Sequence, residues 1–230
     1  MRKLHWFLIF MVISLSLPAQ FKPEAPRNIP QYDEVFWQWG YYFGVTYFGF
    51  KTRHKLPRQE ISVYPELGFN VGLISDFKIT RMFSLRTEPG LFFAYRTLIF
   101  NYIADPYDRI RKARSSYIFV PVLGKFNALR NGNFRPYVIG GVIWAYNLNS
   151  YETSINDNRN GVFRMTRENF FWTVGVGFEF YLYYFKLIPS IRGVFAINDE
   201  YVPDTDPDSP WTKNLEFVGT HGIYFSLTFE

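Results

Sequence analysis

The chain has 230 residues, no cysteine and a formal net charge of +5. Its length fits one domain or one large sheet, and the lack of cysteine excludes a disulfide scaffold, a lipoprotein anchor and any cysteine-held metal. Aromatic residues make up 21% of it, as 26 Phe, 17 Tyr and 6 Trp, which is more than a soluble core of this size uses and fits aromatic girdles at membrane interfaces.

Residues 1–19 open with Arg2 and Lys3 and run through an apolar stretch over 4–17 broken by His5, Ser14 and Ser16. They end Leu17-Pro18-Ala19. This is the pattern of a secretory signal peptide cleaved near Ala19, too short and wrongly flanked for a spanning helix. Its removal takes out Arg2 and Lys3 and lowers the net charge from +5 to +3. The following segment, 20–36, contains Pro23, Pro26 and Pro30, lacks periodicity and reads as an extended periplasmic lead. Within it, Asn28-Ile-Pro-Gln-Tyr-Asp33 reads either as a docking peptide or as ordinary linker.

From residue 37 onward the period is 2. Eight segments follow, at 37–50, 69–79, 83–101, 116–127, 134–149, 169–182, 185–198 and 215–229, each reaching the roughly 9–11 residues of a tilted membrane strand. The connections 51–68, 102–115, 150–168 and 199–214 are long and polar, whereas 80–82, 128–133 and the residues around Tyr183 are short. Short periplasmic turns alternating with long extracellular loops, and both termini in the periplasm, are the layout of outer-membrane barrels. No other stretch carries some twenty uninterrupted apolar residues, so the mature chain can enter a membrane only as a closed barrel. The expected fold is all-β: an eight-stranded antiparallel transmembrane up-and-down β-barrel over 37–230.

A soluble barrel or sandwich is the alternative, and the faces argue against it. Phe69, Val71, Leu73, Phe77 and Ile79 share one face of the second segment, and Phe170, Trp172, Val174, Val176, Phe178 and Phe180 share one face of the sixth. Their opposite faces are small or charged, so the bulky set is expected outward and the small and charged set in the narrow lumen. Parity puts Asp76, Lys78, Arg86, Glu88, Arg96, Lys125, Arg135, Glu179, Lys186 and Arg192 in that lumen, as a plug of paired charges with Asp76 facing Arg86 across the second hairpin. Trp37 and Trp39, with Trp144 and Trp172 toward the other end, read as the two interfacial belts. The last strand presents Ile223, Phe225, Leu227 and Phe229 to lipid, with Gly222 leaving room inside, and reads as the assembly strand. Pro89, Pro121, Pro136 and Pro189 fall inside strands and predict bulges or local breaks.

Catalytic signals are sparse. There is no HExxH, phosphate loop or GxSxG, and after signal removal the histidines are His54 in the first long loop and His221, which parity turns toward lipid. No enzyme, cofactor or metal is expected. Asp105, Asp108, Arg109, Arg111, Lys112 and Arg114 in the second long loop, and Asp199, Glu200, Asp204, Asp206 and Asp208 in the fourth, could bind a partner, lipopolysaccharide or Ca²⁺, or simply neutralise each other as solvated loops. The last is the preferred reading. The partner expected is the outer-membrane bilayer, with lipopolysaccharide at the loops as a candidate; nucleic acid is not expected.

Three stretches together carry a resemblance. They are Asn28-Ile-Pro-Gln-Tyr-Asp33 leading to Trp39-Gly-Tyr-Tyr-Phe-Gly44; Gly68-Phe-Asn-Val-Gly-Leu-Ile-Ser-Asp-Phe77 followed by Leu85-Arg-Thr-Glu-Pro-Gly-Leu91; and Tyr117-Ile-Phe-Val-Pro-Val-Leu-Gly-Lys125 followed by Arg135-Pro-Tyr-Val-Ile-Gly-Gly141. The last two resemble the broad outer-membrane β-barrel family of Bacteroidetes. With the N-terminal stretch, the combination resembles the PorT/SprT family of the type IX secretion and gliding machinery. The resemblance implies an accessory component for export of sorting-domain proteins and gliding adhesins, with other secretion-system proteins as partners and no catalytic residues to carry over. A porin-like or surface ligand-binding barrel is the alternative.

Overall fold

The computed structural model describes residues 27–230 except 56–60, 104, 153–162, 205–208 and 210. The signal peptide read over 1–19 and the start of the lead lie outside the described residues. Nine antiparallel strands form a closed ring: β1 (Trp37–His54), β2 (Ile61–Lys78), β3 (Phe83–Thr87), β4 (Gly90–Phe100), β5 (Ile110–Asn127), β6 (Phe134–Asn147), β7 (Glu168–Tyr181), β8 (Lys186–Ala196) and β9 (Leu215–Phe229). β1 pairs with β2 and with β9, β5 to β9 pair each with the next in sequence, and β3 and β4 lie in series, each paired with both β2 and β5. The nine strands are therefore eight staves. Closure leaves no full-length edge, which is what lipid demands of a sheet.

Pro89 is what divides the third stave: β3 stops at Thr87 and β4 starts at Gly90. Two of the others behave differently from expectation. Pro121 and Pro136 sit in unbroken ladders opposite Ile143 and Phe178. At Pro189 the β7–β8 ladder skips from Gly177↔Ser190 to Phe180↔Leu187 without a change of register. Each proline forfeits a single N–H, and the flanking pairs on two neighbouring staves hold the strand in line.

Two of the four long connections are partly strand. β1 runs on to His54, β2 begins at Ile61, and β5 begins at Ile110 after a one-turn helix over Pro106–Arg109 capped by the Asp105 side chain on Tyr107 N (2.9 Å). Residues 51–54, 61–68 and 110–115 read as loop because the connections are polar overall; Lys51, Arg53, Glu66, Lys112 and Arg114 point outward there, where the staves stand above the apolar belt. A bulge in β2 between Glu66 and Asn70 shifts the register against β4. One extra residue reverses the inward–outward alternation, so Asn70, Ile74 and Asp76 are buried below it whereas Ile61 is buried above it.

The outer wall is apolar as expected, with Tyr41, Phe43, Val45, Leu73, Val122, Val142, Val174 and Phe225 exposed along it. The interior departs from expectation. Beyond small and charged side chains it holds a layer of rings: Phe48, Phe92, Phe119, Phe171, Tyr117 and Tyr224 are all buried. Phe92 stacks on Phe119 with centroids 4.2 Å apart, and the Tyr224 ring meets Phe92 edge-on at 5.2 Å. Such pairs add attraction beyond area burial.

Candidate functional site

The lumen is the place where chemistry-bearing side chains converge, and it is built in three tiers. The tier nearest the short turns is ionic. Asp76 on β2 lies opposite Arg86 on β3 in the ladder. Its carboxylate accepts from Lys125 Nζ at 3.0 Å and stands 3.5 Å from Arg86 Nη1. Arg86 Nε approaches Glu88 Oε1 at 2.6 Å, and Arg192 from β8 grips the same carboxylate with both terminal nitrogens at 2.6 and 2.7 Å. Lys125 also pairs with Glu179, which receives Tyr181 Oη (2.8 Å) and lies 3.6 Å from Arg135. Lys186 pairs with Glu230, donates to Gln38 Oε1 at 2.6 Å, and Arg86 lies 3.4 Å from Glu230.

Four carboxylates (Asp76, Glu88, Glu179, Glu230) thus meet five cations (Arg86, Lys125, Arg135, Lys186, Arg192) in a nearly dry interior. Buried ions persist only when paired and hydrogen-bonded, and this near-balance meets that condition. Lys78 is half-buried at the rim of this tier, near Asp76 and Lys125. Glu230 and Gln38 were missed in the sequence, although the alternation that turns Ser226 and Thr228 inward continues to Glu230.

The lead closes this end. Instead of an extended linker, Pro30–Asp33 forms a 3-10 turn. Asn28 donates from its backbone to Asn133 Oδ1 (2.8 Å) and from its side chain to Tyr181 O (3.0 Å), while Arg130 donates to Asn28 O. Gln38 Nε2 donates to Tyr32 O at 2.8 Å, and Lys186 Nζ lies 5.2 Å from the Tyr32 ring centre. The Asn28–Asp33 motif therefore docks on its own barrel.

The middle tier is the aromatic layer. The third tier, toward the long loops, centres on Arg96 and Glu200. Arg96 donates to Phe48 O (3.1 Å), Ser115 Oγ (3.2 Å) and Thr220 Oγ1 (2.9 Å), with its guanidinium 4.0 Å from the centre of the Phe50 ring. Glu200, expected in a solvated acidic loop, is instead fully buried in the barrel. It accepts from Tyr117 Oη (3.0 Å), Thr220 Oγ1 (2.8 Å) and Thr220 N. Burial raises its carboxyl above the usual carboxylate range.

Among the described residues the two charged loops touch through Trp211. Arg111 pairs with Asp108 of its own loop at 3.1 Å, and its guanidinium stacks over Trp211, whose Nε1 donates to Asp108 O at 3.0 Å. Asp204 receives Thr212 Oγ1 (2.9 Å) and Ser209 Oγ; Asp206 and Asp208 lie outside the described residues. Among the described residues no three His, Asp or Glu side chains gather as metal ligands.

Trp37 and Trp39 are exposed at the short-turn end, where Trp37 Nε1 donates to Ser75 Oγ at 2.7 Å, and Trp144 and Trp172 are exposed on the wall toward the long loops. On β9, Phe225, Leu227 and Phe229 face outward against Val45, Phe43 and Tyr41. Gly222 lies inside against Phe48, where a Cβ would meet Tyr47 O at 2.2 Å. His221 is exposed on the outer wall opposite Gly49, and His54 Nε2 accepts from Ile61 N at 3.3 Å.

Residues 19–202 match the protein family described as "Outer membrane protein beta-barrel domain". No curated relative matches the sequence. Among solved structures, the outer membrane protein OprG from Pseudomonas aeruginosa is similar at 11% identity, covering 83% of this chain and 94% of that one, with a TM-score of 0.47. Neisserial surface protein A (NspA) is similar at 9% identity, over 84% and 97%, with a TM-score of 0.47. The N-terminal β-barrel domain of P. aeruginosa OprF is similar at 12% identity, over 82% and 99%, with a TM-score of 0.34.

Proposed function

The chain belongs to the family of outer membrane protein beta-barrel domains, and from that premise we propose that it is a non-enzymatic, non-conducting barrel serving as an accessory or assembly component of type IX protein secretion. The observation that carries the accessory role is the filled lumen: an ionic tier, an aromatic tier and a loop tier lie in series. A barrel of eight staves leaves room for side chains and no more, so a folded export substrate cannot pass through it. Its working surfaces are then the outer wall and the two rims. The assignment to type IX secretion rests on the three stretches that resemble the PorT/SprT family. In this reading the signal over 1–19 directs export, the short turns and both termini are periplasmic, residues 27–36 of the lead seal the periplasmic mouth, and the long loops face outside.

Deletion of the gene tests the proposal. Secretion of sorting-domain proteins should fail and return when the intact gene is supplied. Unchanged secretion with altered permeability would favour the porin-like alternative, and a changed lipid A mass would favour an enzyme.

A further inference from the structure

Between β1 and β2 the wall is laddered only as far as Tyr47↔Leu67. Above that row β1 continues against β9 alone, through Phe48↔Gly222 to Arg53↔Phe217, and β2 continues against β4 alone, through Glu66↔Tyr95 to Ile61↔Phe100. The cause is local. The bulge above Asn70 re-aims the strand, and Pro65 has no N–H to offer β1.

Alternate residues of an antiparallel strand direct their N–H and C=O to opposite neighbours. Phe36 O accepts from Lys78 N at 2.8 Å on the β2 side, so the same parity aims the Phe48, Phe50 and Thr52 backbone at the gap. Phe48 O is accordingly taken by the Arg96 side chain reaching over from β4. At the top, His54 Nε2 holds Ile61 N. The wall therefore carries a lateral fissure, closed above and below.

A groove of about 500 Å³ occupies it, with Tyr47, Ile61, Val63, Pro65 and Ile223 as its apolar lining and His221 beside them. Gly49 keeps it open, since even a Cβ there would stand 3.2 Å from Pro65 Cγ. Its height is set by the outward rows of β1 and β9. Going up, these read Val45/Phe225, Tyr47/Ile223, Gly49/His221, Lys51/Gly219 and Arg53/Phe217. The groove lies where the apolar belt gives way to cations. Lys51, Arg53 and Lys55 are exposed on the β1 side. The facing acids are Glu216, 3.9 Å from Arg53, and Glu66, which accepts from Thr97 on β4 at 2.7 Å. Among the described residues, cations therefore exceed acids at this rim.

We propose that this fissure is a binding site for one lipid A molecule of the outer leaflet, with an acyl chain in the Tyr47–Pro65–Ile223 groove and a phosphate on Lys51 and Arg53. An apolar slot below a cationic edge matches an amphiphile in its normal orientation, and Arg and Lys are the side chains suited to phosphate. The inference rests on the orientation proposed above, with the long loops outside.

The test is native mass spectrometry of the full mature protein extracted from its own outer membrane, alongside the variants Lys51→Glu/Arg53→Glu, Gly49→Leu and, on the far wall, Arg167→Glu. The wild-type and Arg167→Glu proteins should carry a lipid A adduct, and the other two should lose it at least about fivefold. Equal adducts in all four, no adduct on the wild type, or a phospholipid in place of lipid A would overturn the site. Labelling of Asn149→Cys by an impermeant maleimide on intact cells reports the orientation separately. Labelled cells with no charge-dependent adduct would remove the site and leave the orientation standing.

Discussion

Glu88 is the residue on which the ionic tier turns. Its carboxylate holds both terminal nitrogens of Arg192 and Nε of Arg86, so its removal takes the carboxylate from Arg192 and leaves Arg86 with the longer contacts to Asp76 and Glu230. Glu88→Gln should therefore cost about 3–5 kcal/mol or more, in the range for breaking a buried pair. For Asp76 the contacts rank differently from the sequence expectation, since the Lys125 ammonium at 3.0 Å is nearer than the Arg86 guanidinium at 3.5 Å. A double-mutant cycle of Asp76→Ala with Lys125→Met should show larger coupling than one of Asp76→Ala with Arg86→Met. Urea unfolding in detergent, followed by heat-modifiability on gels, measures both; a Glu88→Gln loss under about 1 kcal/mol would mean water reaches the tier. The inward positions were legible because period 2 fixes the face, and the Asp76–Arg86 juxtaposition was legible because a short hairpin fixes register. Glu88–Arg192 was not, because it spans the lumen between staves far apart in sequence, where neither parity nor register reaches.

Among the elements, the strands were readable in their middles and misread at their upper ends. Residues 61–66 and 110–115 are polar on their outward side, and polarity alone does not separate a loop from a stave standing in water. The bulge at 66–70 hid the rest, because it reverses the alternation that would have identified β2 above it. The aromatic tier was not legible for a related reason: Phe92 and Phe119 follow the same inward parity as the charged residues, and bulk alone does not separate a lumen ring from a lipid-facing one. The fourth loop carried no periodic signal for Glu200. Its insertion gives this loop a testable pH response. Since burial raises the folded carboxyl above its unfolded value, docking is fully favoured below the ordinary carboxyl range and is lost as pH rises through the raised value. Hydrogen-exchange protection at Glu200 and Tyr201 should therefore increase from about pH 8 toward about pH 4, once corrected for intrinsic exchange, and Glu200→Gln should abolish the dependence. Protection that falls toward acid would mean that the carboxylate form is the one held, with Arg96 as the dominant influence.

At the scale of the whole molecule the three tiers act as independent seals. The lead and ionic tier close the short-turn end, the stacked rings close the middle, and Glu200 with its loop closes the far end. An ion entering from either side would have to displace paired charges and then cross a layer of buried phenyl rings, and the eight-stave ring cannot widen without breaking its ladders. Planar-bilayer recordings of the pure mature protein should accordingly show no large, stable pore. Deleting residues 27–36 removes the lead and leaves all three tiers, so the shortened barrel should be silent as well. Reproducible porin-scale currents from the intact protein would contradict the seals and favour a transport function. Currents confined to the shortened barrel would mean that the rings part easily and that the lead is the true gate.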